Sequence, residues 1–164
     1  MKKLLILLLA VTMVSLANAQ NNKRTSAFNY FQNGKLDKAK EYIDPTITNE
    51  KTMGVAKTWY YRGDIYLQIA LSDNPEYRAL DPNALEVAYQ SYKKVLELDD
   101  RGEYTMSVQH NFKVIASNFF NQGVTMYNEA RYLDAANSFQ HCYDVYADIN
   151  VVDTTALSNV ALAY

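Results

Sequence analysis

Histidine and cysteine, two residue types that often catalyse reactions or bind metal ions, are rare in this sequence. The chain contains two histidines, His110 and His141, and a single cysteine, Cys142. Although His141 and Cys142 are adjacent, neighbouring residues of a helix point about 100° apart, so the two side chains diverge. We therefore expect no metal ion at this pair, and we interpret Cys142 as a buried, unreactive thiol.

Short catalytic motifs are also missing from the sequence. The acidic segments "DPNALE" and "DDRGE" lack the alternating oxygen ligands and the distal glutamate of a calcium loop. No phosphate-binding loop, dinucleotide fingerprint or nucleophilic serine elbow occurs. We expect a protein that is not an enzyme, with no catalytic residues, no metal and no cofactor.

The first 19 residues have the features of a secretory signal peptide. "MKKLLILLLAVTMVSLANAQ" starts with two lysines, continues with an apolar run and ends on small residues before Gln20. The alternative is an uncleaved membrane anchor, but the apolar run is shorter than the roughly 20 residues of a membrane span. We expect residues 1–19 to be removed and the protein to be exported to the periplasm, the cell envelope or the extracellular space.

Charge and hydropathy exclude two further classes of partner. The whole chain has 16 basic and 18 acidic residues, and removal of Lys2 and Lys3 with the signal leaves a net charge of −4. Both signs are interspersed, so we expect no nucleic acid and no anionic membrane surface as a partner. No long apolar segment follows the signal, and we expect no membrane insertion after signal removal.

The most informative pattern is a small residue followed by an alanine and then, four residues later, by a large apolar residue. The copies are Ala27, Ala39 and Ile43; Gly63, Ala88 and Tyr92; Gly123, Ala135 and Phe139; and an incomplete fourth copy at Ala161. A glycine inside a helix costs about 1 kcal/mol relative to alanine, and close packing of a neighbouring helix can recover that cost. We expect Gly123 to meet Ala135 at such a close contact.

With Trp59 and Tyr66 flanking Gly63, this pattern resembles the tetratricopeptide repeat, a pair of antiparallel helices repeated in tandem. Arg62 stands where the family has leucine. The resemblance implies an all-α fold, a right-handed α-solenoid of about three units and the start of a fourth. The implied units cover about 20–52, 53–102 with an insertion at 72–82, 103–149 and 150–164.

Helix-capping and helix-breaking residues predict where the helices begin and end. The first helix of the second unit is expected from Met53 to Leu71. Asp81 is expected to cap the following helix, with Pro82 at its first position. A long helix is expected from Glu103 to Asn128.

The resemblance also implies a binding surface, because the first helices of such units line a concave groove. The residues implied to face this groove are Arg24, Phe28, Phe31, Tyr60, Asp64, Leu67, Phe120, Val124, Tyr127 and Asn128. They indicate an exported scaffold or adaptor that binds a peptide segment or a protein face. The alternatives are a glycan- or nutrient-binding envelope component, and the repeat region of a longer enzyme whose catalytic domain lies beyond Tyr164.

We expect the exported form of the protein to begin at Gln20, because Ala17 and Ala19 supply the small residues that signal cleavage requires. The intact mass of the protein recovered from the cell envelope measures this. A mass that still includes Met1 to Ala19 would contradict cleavage and would remove the argument for export.

Overall fold

The computed structural model describes residues 23–163, so the expected signal peptide lies outside the described residues. Over residues 23–163 every long regular element is a helix, and no strand occurs in that range. The all-α expectation is therefore confirmed. The chain divides into two compact units, the first ending at Asp100 and the second beginning at Arg101.

The first unit contains five α-helices and one short 3₁₀ helix among its described residues. They are α1 (23–32), α2 (Leu36–Ile43), the 3₁₀ helix (Asp44–Ile47), α3 (Ala56–Ala70), α4 (Pro75–Arg78) and α5 (Ala84–Leu98). Gly34 adopts φ +70° in the turn between α1 and α2, a conformation that favours glycine. The short helix α4 lies inside the insertion expected at 72–82.

The second unit is built from three helices within its described residues. They are α6 (Thr105–Asn128), α7 (Tyr132–Ala147) and α8 (Thr154–Ala163). At 24 residues, α6 confirms the expected long helix and starts two residues later than predicted. The helix α8 occupies the position of the incomplete fourth copy of the pattern.

Two predicted helix starts are wrong by a few residues. Helix α3 begins at Ala56 rather than Met53, because residues 49–54 form turns in which Thr52 donates its hydroxyl to the Thr46 carbonyl. Such side-chain bonds compete with helix formation. Helix α5 begins at Ala84, and Pro82 lies in the turn before it.

Asp81 contributes to that turn instead of capping the first helical residues of α5. Its carboxylate accepts a hydrogen bond from the backbone N–H of Asn83 at 2.9 Å, and its carbonyl accepts one from Ala84 at 3.1 Å. The Asp-Pro signal therefore marks the right region, while the turn it forms precedes the helix.

A glycine that faces an aromatic ring organises one helix pair in each unit. Gly63 of α3 is buried, and a Cβ built on it would lie 2.5 Å from the ring of Tyr92 on α5. Gly123 of α6 is also buried, and its Cβ would lie 2.7 Å from the ring of Phe139 on α7. The three atoms nearest to this Cβ position all belong to Phe139 and not to Ala135, because the ring four residues later fills the space that the glycine leaves.

Both rings are held firmly in place. Tyr92 is fully buried, and its hydroxyl donates to the Asp64 carboxylate at 2.6 Å. Phe139 is 3% exposed and belongs to an apolar cluster with three buried alanines. The cluster consists of Ala135, Ala136, Phe139 and Ala163, with Phe120, Met126 and Val160 packed against it. Neither ring can therefore move aside without disturbing its own contacts.

A polar network around Asp44 ties α2 to α3. The Asp44 carboxylate accepts hydrogen bonds from the Tyr66 hydroxyl at 2.8 Å and from the Lys40 ammonium at 3.0 Å. Arg62 approaches the same carboxylate at 3.4 Å and donates to the Ser91 hydroxyl of α5 at 2.9 Å. Burial and the Asp44 charge raise the pKa of Tyr66, so its hydroxyl remains a donor. This network gives Arg62 a structural role, because its side chain connects α3 to Asp44 and to Ser91 of α5.

No helix within residues 23–163 combines the length and the apolar character that crossing a bilayer requires.

Replacing Gly123 by alanine is expected to lower the free energy of unfolding by about 1–3 kcal/mol, because the new methyl group overpacks against the Phe139 ring. The loss should occur even though alanine is the better helix former by about 1 kcal/mol. Chemical denaturation monitored by circular dichroism measures it. Gly54→Ala is the matched control, since a Cβ there meets nothing within 4 Å. Equal stability of the two variants would contradict the close contact.

Candidate functional site

Three of the aromatic residues predicted for the groove lie in a row of rings in the first unit. Phe28 stacks on Tyr61 with 4.3 Å between ring centroids, and Phe31 lies 6.5 Å from Phe28. Tyr60 continues the row, 6.5 Å from Tyr61 and 6.1 Å from Tyr92. We call these five rings the aromatic row. Its members are Phe28, Phe31, Tyr60, Tyr61 and Tyr92.

Sequence reasoning missed Tyr61 as a member of this row. Tyr61 is half-buried on α3, and the ammonium of Lys57 lies 5.5 Å from its ring centroid. The signal that could have identified it is the i, i+4 spacing of Lys57 and Tyr61 on one helix face. Pairing of Tyr61 with Phe28 of α1 required the packing of two helices and was not visible in the sequence.

The remaining predicted residues of the first unit differ in accessibility. Arg24 is half-buried and donates a hydrogen bond to the Thr58 hydroxyl at 3.2 Å, which ties α1 to α3. Leu67 is 9% exposed and lies in the core. Leu67 therefore offers little surface to a partner, while Arg24 keeps part of its side chain accessible.

Asp64 is half-buried between the aromatic row and α5. Its carboxylate accepts the hydrogen bond from the Tyr92 hydroxyl. Burial raises the pKa of Asp64 from 3.8 to about 6, and the bond from Tyr92 opposes this rise. At neutral pH the group is therefore ionised at a cost in stability, and it places a negative charge beside Tyr60 and Tyr92.

In the second unit, the four predicted residues all lie on α6. Phe120 is half-buried, with its ring centroid 5.4 Å from that of Phe139. Val124 is 39% exposed, Tyr127 is 42% exposed and Asn128 is exposed. The Tyr127 ring makes an edge contact with Tyr132 at 5.2 Å. Val124, Tyr127 and Asn128 are therefore accessible, and Phe120 belongs partly to the core.

The second unit also contains a pocket that sequence reasoning did not predict. Its volume is about 320 Å³, and it is an open pocket lined by residues of α6, α7 and the start of α8. We call it the Asp153 pocket. Its lining residues are Ser117, Phe120, Asn121, Cys142, Tyr146, Asp153 and Thr155. Only Phe120 and Cys142 had been singled out in the sequence, because residues from three helices meet here and their spacing along the chain is irregular.

Asp153 is held rigidly at the start of α8. Its Oδ1 atom accepts hydrogen bonds from the backbone N–H groups of Thr155 at 2.9 Å and Ala156 at 3.0 Å, which caps the helix. Its Oδ2 atom accepts a hydrogen bond from the Cys142 thiol, with 3.8 Å between Sγ and Oδ2. The carboxylate therefore has a defined position on the pocket wall.

Cys142 is fully buried, as predicted. Burial and the neighbouring Asp153 carboxylate raise the pKa of its thiol to about 12. The thiol consequently remains protonated at neutral pH, and the thiolate is the nucleophilic form of cysteine. Cys142 therefore contributes apolar contact and a weak hydrogen bond.

The two histidines occupy separate environments. His110 is exposed on α6, whereas the His141 ring stacks on Phe119 with 5.0 Å between centroids. Among the residues that the structure describes, no group of three or more His, Cys, Asp or Glu side chains could hold a metal ion. The arrangement offers aromatic faces and single carboxylates, which suit binding of a peptide or a protein surface.

Comparisons of the chain with models of protein families, with curated proteins and with solved structures find no match. The helix pairs and the side chains on their surfaces are therefore the basis for assigning a function.

The raised pKa of Asp64 makes stability depend on pH. Between pH 3.8 and about 6 the folded state holds the Asp64 proton more tightly than the unfolded state, so the stability contributed by this group falls as pH rises through that range. Asp64→Asn keeps an acceptor for the Tyr92 hydroxyl and removes the buried charge. We expect it to raise the free energy of unfolding by about 1–3 kcal/mol above pH 7, with little gain near pH 4.

Denaturant unfolding at a series of pH values measures this effect. Asp73→Asn, which removes an exposed carboxylate of the same unit, is the control and should leave the pH profile of the wild type unchanged. A gain that is constant across the pH range would show that Asp64 is not desolvated in the folded protein.

Proposed function

We propose that this chain is an exported, tetratricopeptide-like helical-repeat protein that acts as an interaction scaffold in the cell envelope. The observation that carries the proposal is the recurrence of one contact, a helical glycine under an aromatic ring of the paired helix. Gly63 with Tyr92 and Gly123 with Phe139 have this geometry in separate units. A repeated contact of this kind supports a repeated helix pair as the building block of the chain.

In the proposed architecture, the helix pairs stack into a right-handed α-solenoid, and α1, α3 and α6 are the first helices of successive units. Stacked pairs present their first helices side by side, which creates an extended surface for a peptide or a protein face. Phe28, Phe31, Tyr60 and Tyr61 of the aromatic row and the exposed residues of α6 lie on these helices, whereas Tyr92 lies on α5. Aromatic side chains suit this role because they contribute large contact areas at low entropic cost.

The proposed location is the periplasm or another extracytoplasmic part of the envelope, and its support is the signal-like sequence of residues 1–19. The proposed partner is a neutral or basic protein segment. Two observations favour this charge preference. The chain without its signal has a net charge of −4, and Asp64 lies beside the aromatic row.

A glycan-binding role is the second candidate, and the aromatic row is the observation that favours it. The half-buried ring of Tyr60 has a face on which a sugar ring can stack, whereas Phe28 and Tyr61 each cover one face of the other. Isothermal titration with polysaccharide fragments separates the two candidates, because the scaffold proposal predicts no heat of binding with these fragments.

We expect Tyr127→Ala to abolish the capture of partner proteins. Truncating an aromatic anchor of an interface typically costs at least about 2 kcal/mol of binding free energy. The variant is informative because Tyr127 is 42% exposed, so the protein should fold without this side chain. Quantitative mass spectrometry of proteins captured from envelope extract compares it with the wild type. Tyr60→Ala and Phe120→Ala extend the test once cooperative melting of each variant has been verified.

Met106→Ala is the matched control, because Met106 is an exposed apolar residue of the same helix, at 83% exposure, and is not among the predicted groove residues. It should retain every partner of the wild type. If the three aromatic variants fold and also retain every partner, the proposed binding surface is wrong.

A further inference from the structure

The Asp153 pocket has an electrostatic character that a partner must match. Asp153 is the only acidic residue among those that line it, and no basic residue is among them. The thiol of Cys142 is neutral at physiological pH. The pocket therefore has a single negative charge of fixed position and no compensating side chain among its lining residues.

The surrounding unit reinforces this charge. From Arg101 to the end of the sequence there are three basic and six acidic residues, a net charge of −3 with histidine neutral. Asp144, Asp148 and Asp153 lie within ten residues of one another around the end of α7 and the start of α8. The second unit thus accounts for most of the net charge of −4 that remains after signal removal.

The aromatic and polar lining of the pocket adds a second element. The rings of Phe120 and Tyr146 line the pocket together with the Asp153 carboxylate. A ring face attracts a cation through its quadrupole. The Asn121 amide and the Ser117 and Thr155 hydroxyls are oxygen acceptors for the remaining N–H groups of a bound cation.

We propose that the Asp153 pocket binds a basic side chain of the partner, the ammonium group of a lysine or the guanidinium group of an arginine. This inference rests on the proposed scaffold function, because the side chain is supplied by the bound protein segment. The aliphatic stem of the side chain lies against Phe120, and the charged head donates hydrogen bonds to Asp153. The volume of about 320 Å³ is at the lower end of the range for ligand pockets, which fits one side chain.

The α8 N-terminus weakens the attraction without cancelling it. A helix N-terminus carries roughly half a positive elementary charge, and two N–H groups of α8 point at Asp153 Oδ1. A full carboxylate charge therefore remains partly uncompensated. The same N–H groups fix the orientation of the carboxylate, because both bond to its Oδ1 atom. Among residues 23–163, the second oxygen, Oδ2, accepts only the weak hydrogen bond from the Cys142 thiol and has capacity for a cation.

The test uses the full chain and two small peptides. Acetyl-Gly-Lys-Gly-amide is titrated at low salt while ¹H–¹⁵N spectra are recorded, and the same peptide with Nε-acetyl-lysine serves as the uncharged probe. We expect saturable shifts at the Thr155 and Ala156 backbone N–H groups and at the Asn121 side-chain amide. The acetylated peptide should leave these signals in place, because it lacks the cation.

Asp153→Asn isolates the charge. Asparagine is as good a helix cap as aspartate, so α8 should remain intact while the affinity for the lysine peptide falls by at least about tenfold. Asp144→Asn removes the same unit charge from α7 at a residue that does not line the pocket, and should change the affinity by less than about twofold. Thermal melting of both variants verifies that they fold.

Three results would overturn the inference. They are equal binding of the acetylated peptide, an unchanged affinity of Asp153→Asn, and the absence of shifts at the pocket with the lysine peptide. These results are independent of the capture experiment on Tyr127. If the lysine peptide binds the pocket and the aromatic variants retain every partner, the proposed binding surface fails while the chemistry of the pocket stands. If the aromatic variants lose partners and the lysine peptide causes no shifts at the pocket, only the inference about the pocket fails.

Discussion

The architecture depends on one steric constraint, the close approach of two helix backbones that leaves room for a ring only where a glycine removes the Cβ atom. In the first unit Tyr92 occupies the space over Gly63, and in the second Phe139 occupies the space over Gly123. Because each ring is buried, the contact excludes water and brings α3 against α5 and α6 against α7. The lost helix propensity of glycine, about 1 kcal/mol at each position, is offset by this packing.

Polar side chains then secure the helices that the glycine contacts bring together. In the first unit, the Tyr92 hydroxyl bonds to Asp64, and Asp44 receives hydrogen bonds from α2 and α3. Arg62 extends this network to α5 through Ser91. The second unit relies instead on an alanine-rich apolar cluster around Phe139. The two units therefore share one steric device and support it with different chemistry.

The same side chains connect the core to the surface that we propose for binding. Tyr92 fills the space over Gly63 and also lies 6.1 Å from Tyr60 in the aromatic row, and Phe120 packs on Phe139 while lining the Asp153 pocket. A binding surface built in this way is preorganised, because its rings are already immobilised by the core. If the proposed surface binds a partner, we expect truncation of Phe120 to lower both stability and affinity, and truncation of the exposed Tyr127 to lower mainly affinity.

The sequence by itself determined the helical class, the long helix α6 and the positions of the two critical glycines, because helical periodicity and glycine cost are local properties of the chain. It also predicted correctly that Cys142 is buried. Only the tertiary structure decided which residue meets each glycine, since Ala135 and Phe139 both lie near that face and the helix separation selects the ring. The tertiary structure likewise decided the pairing of Phe28 with Tyr61 and the assembly of the Asp153 pocket. They join residues from different helices, and distances between helices are set by packing rather than by spacing along the chain.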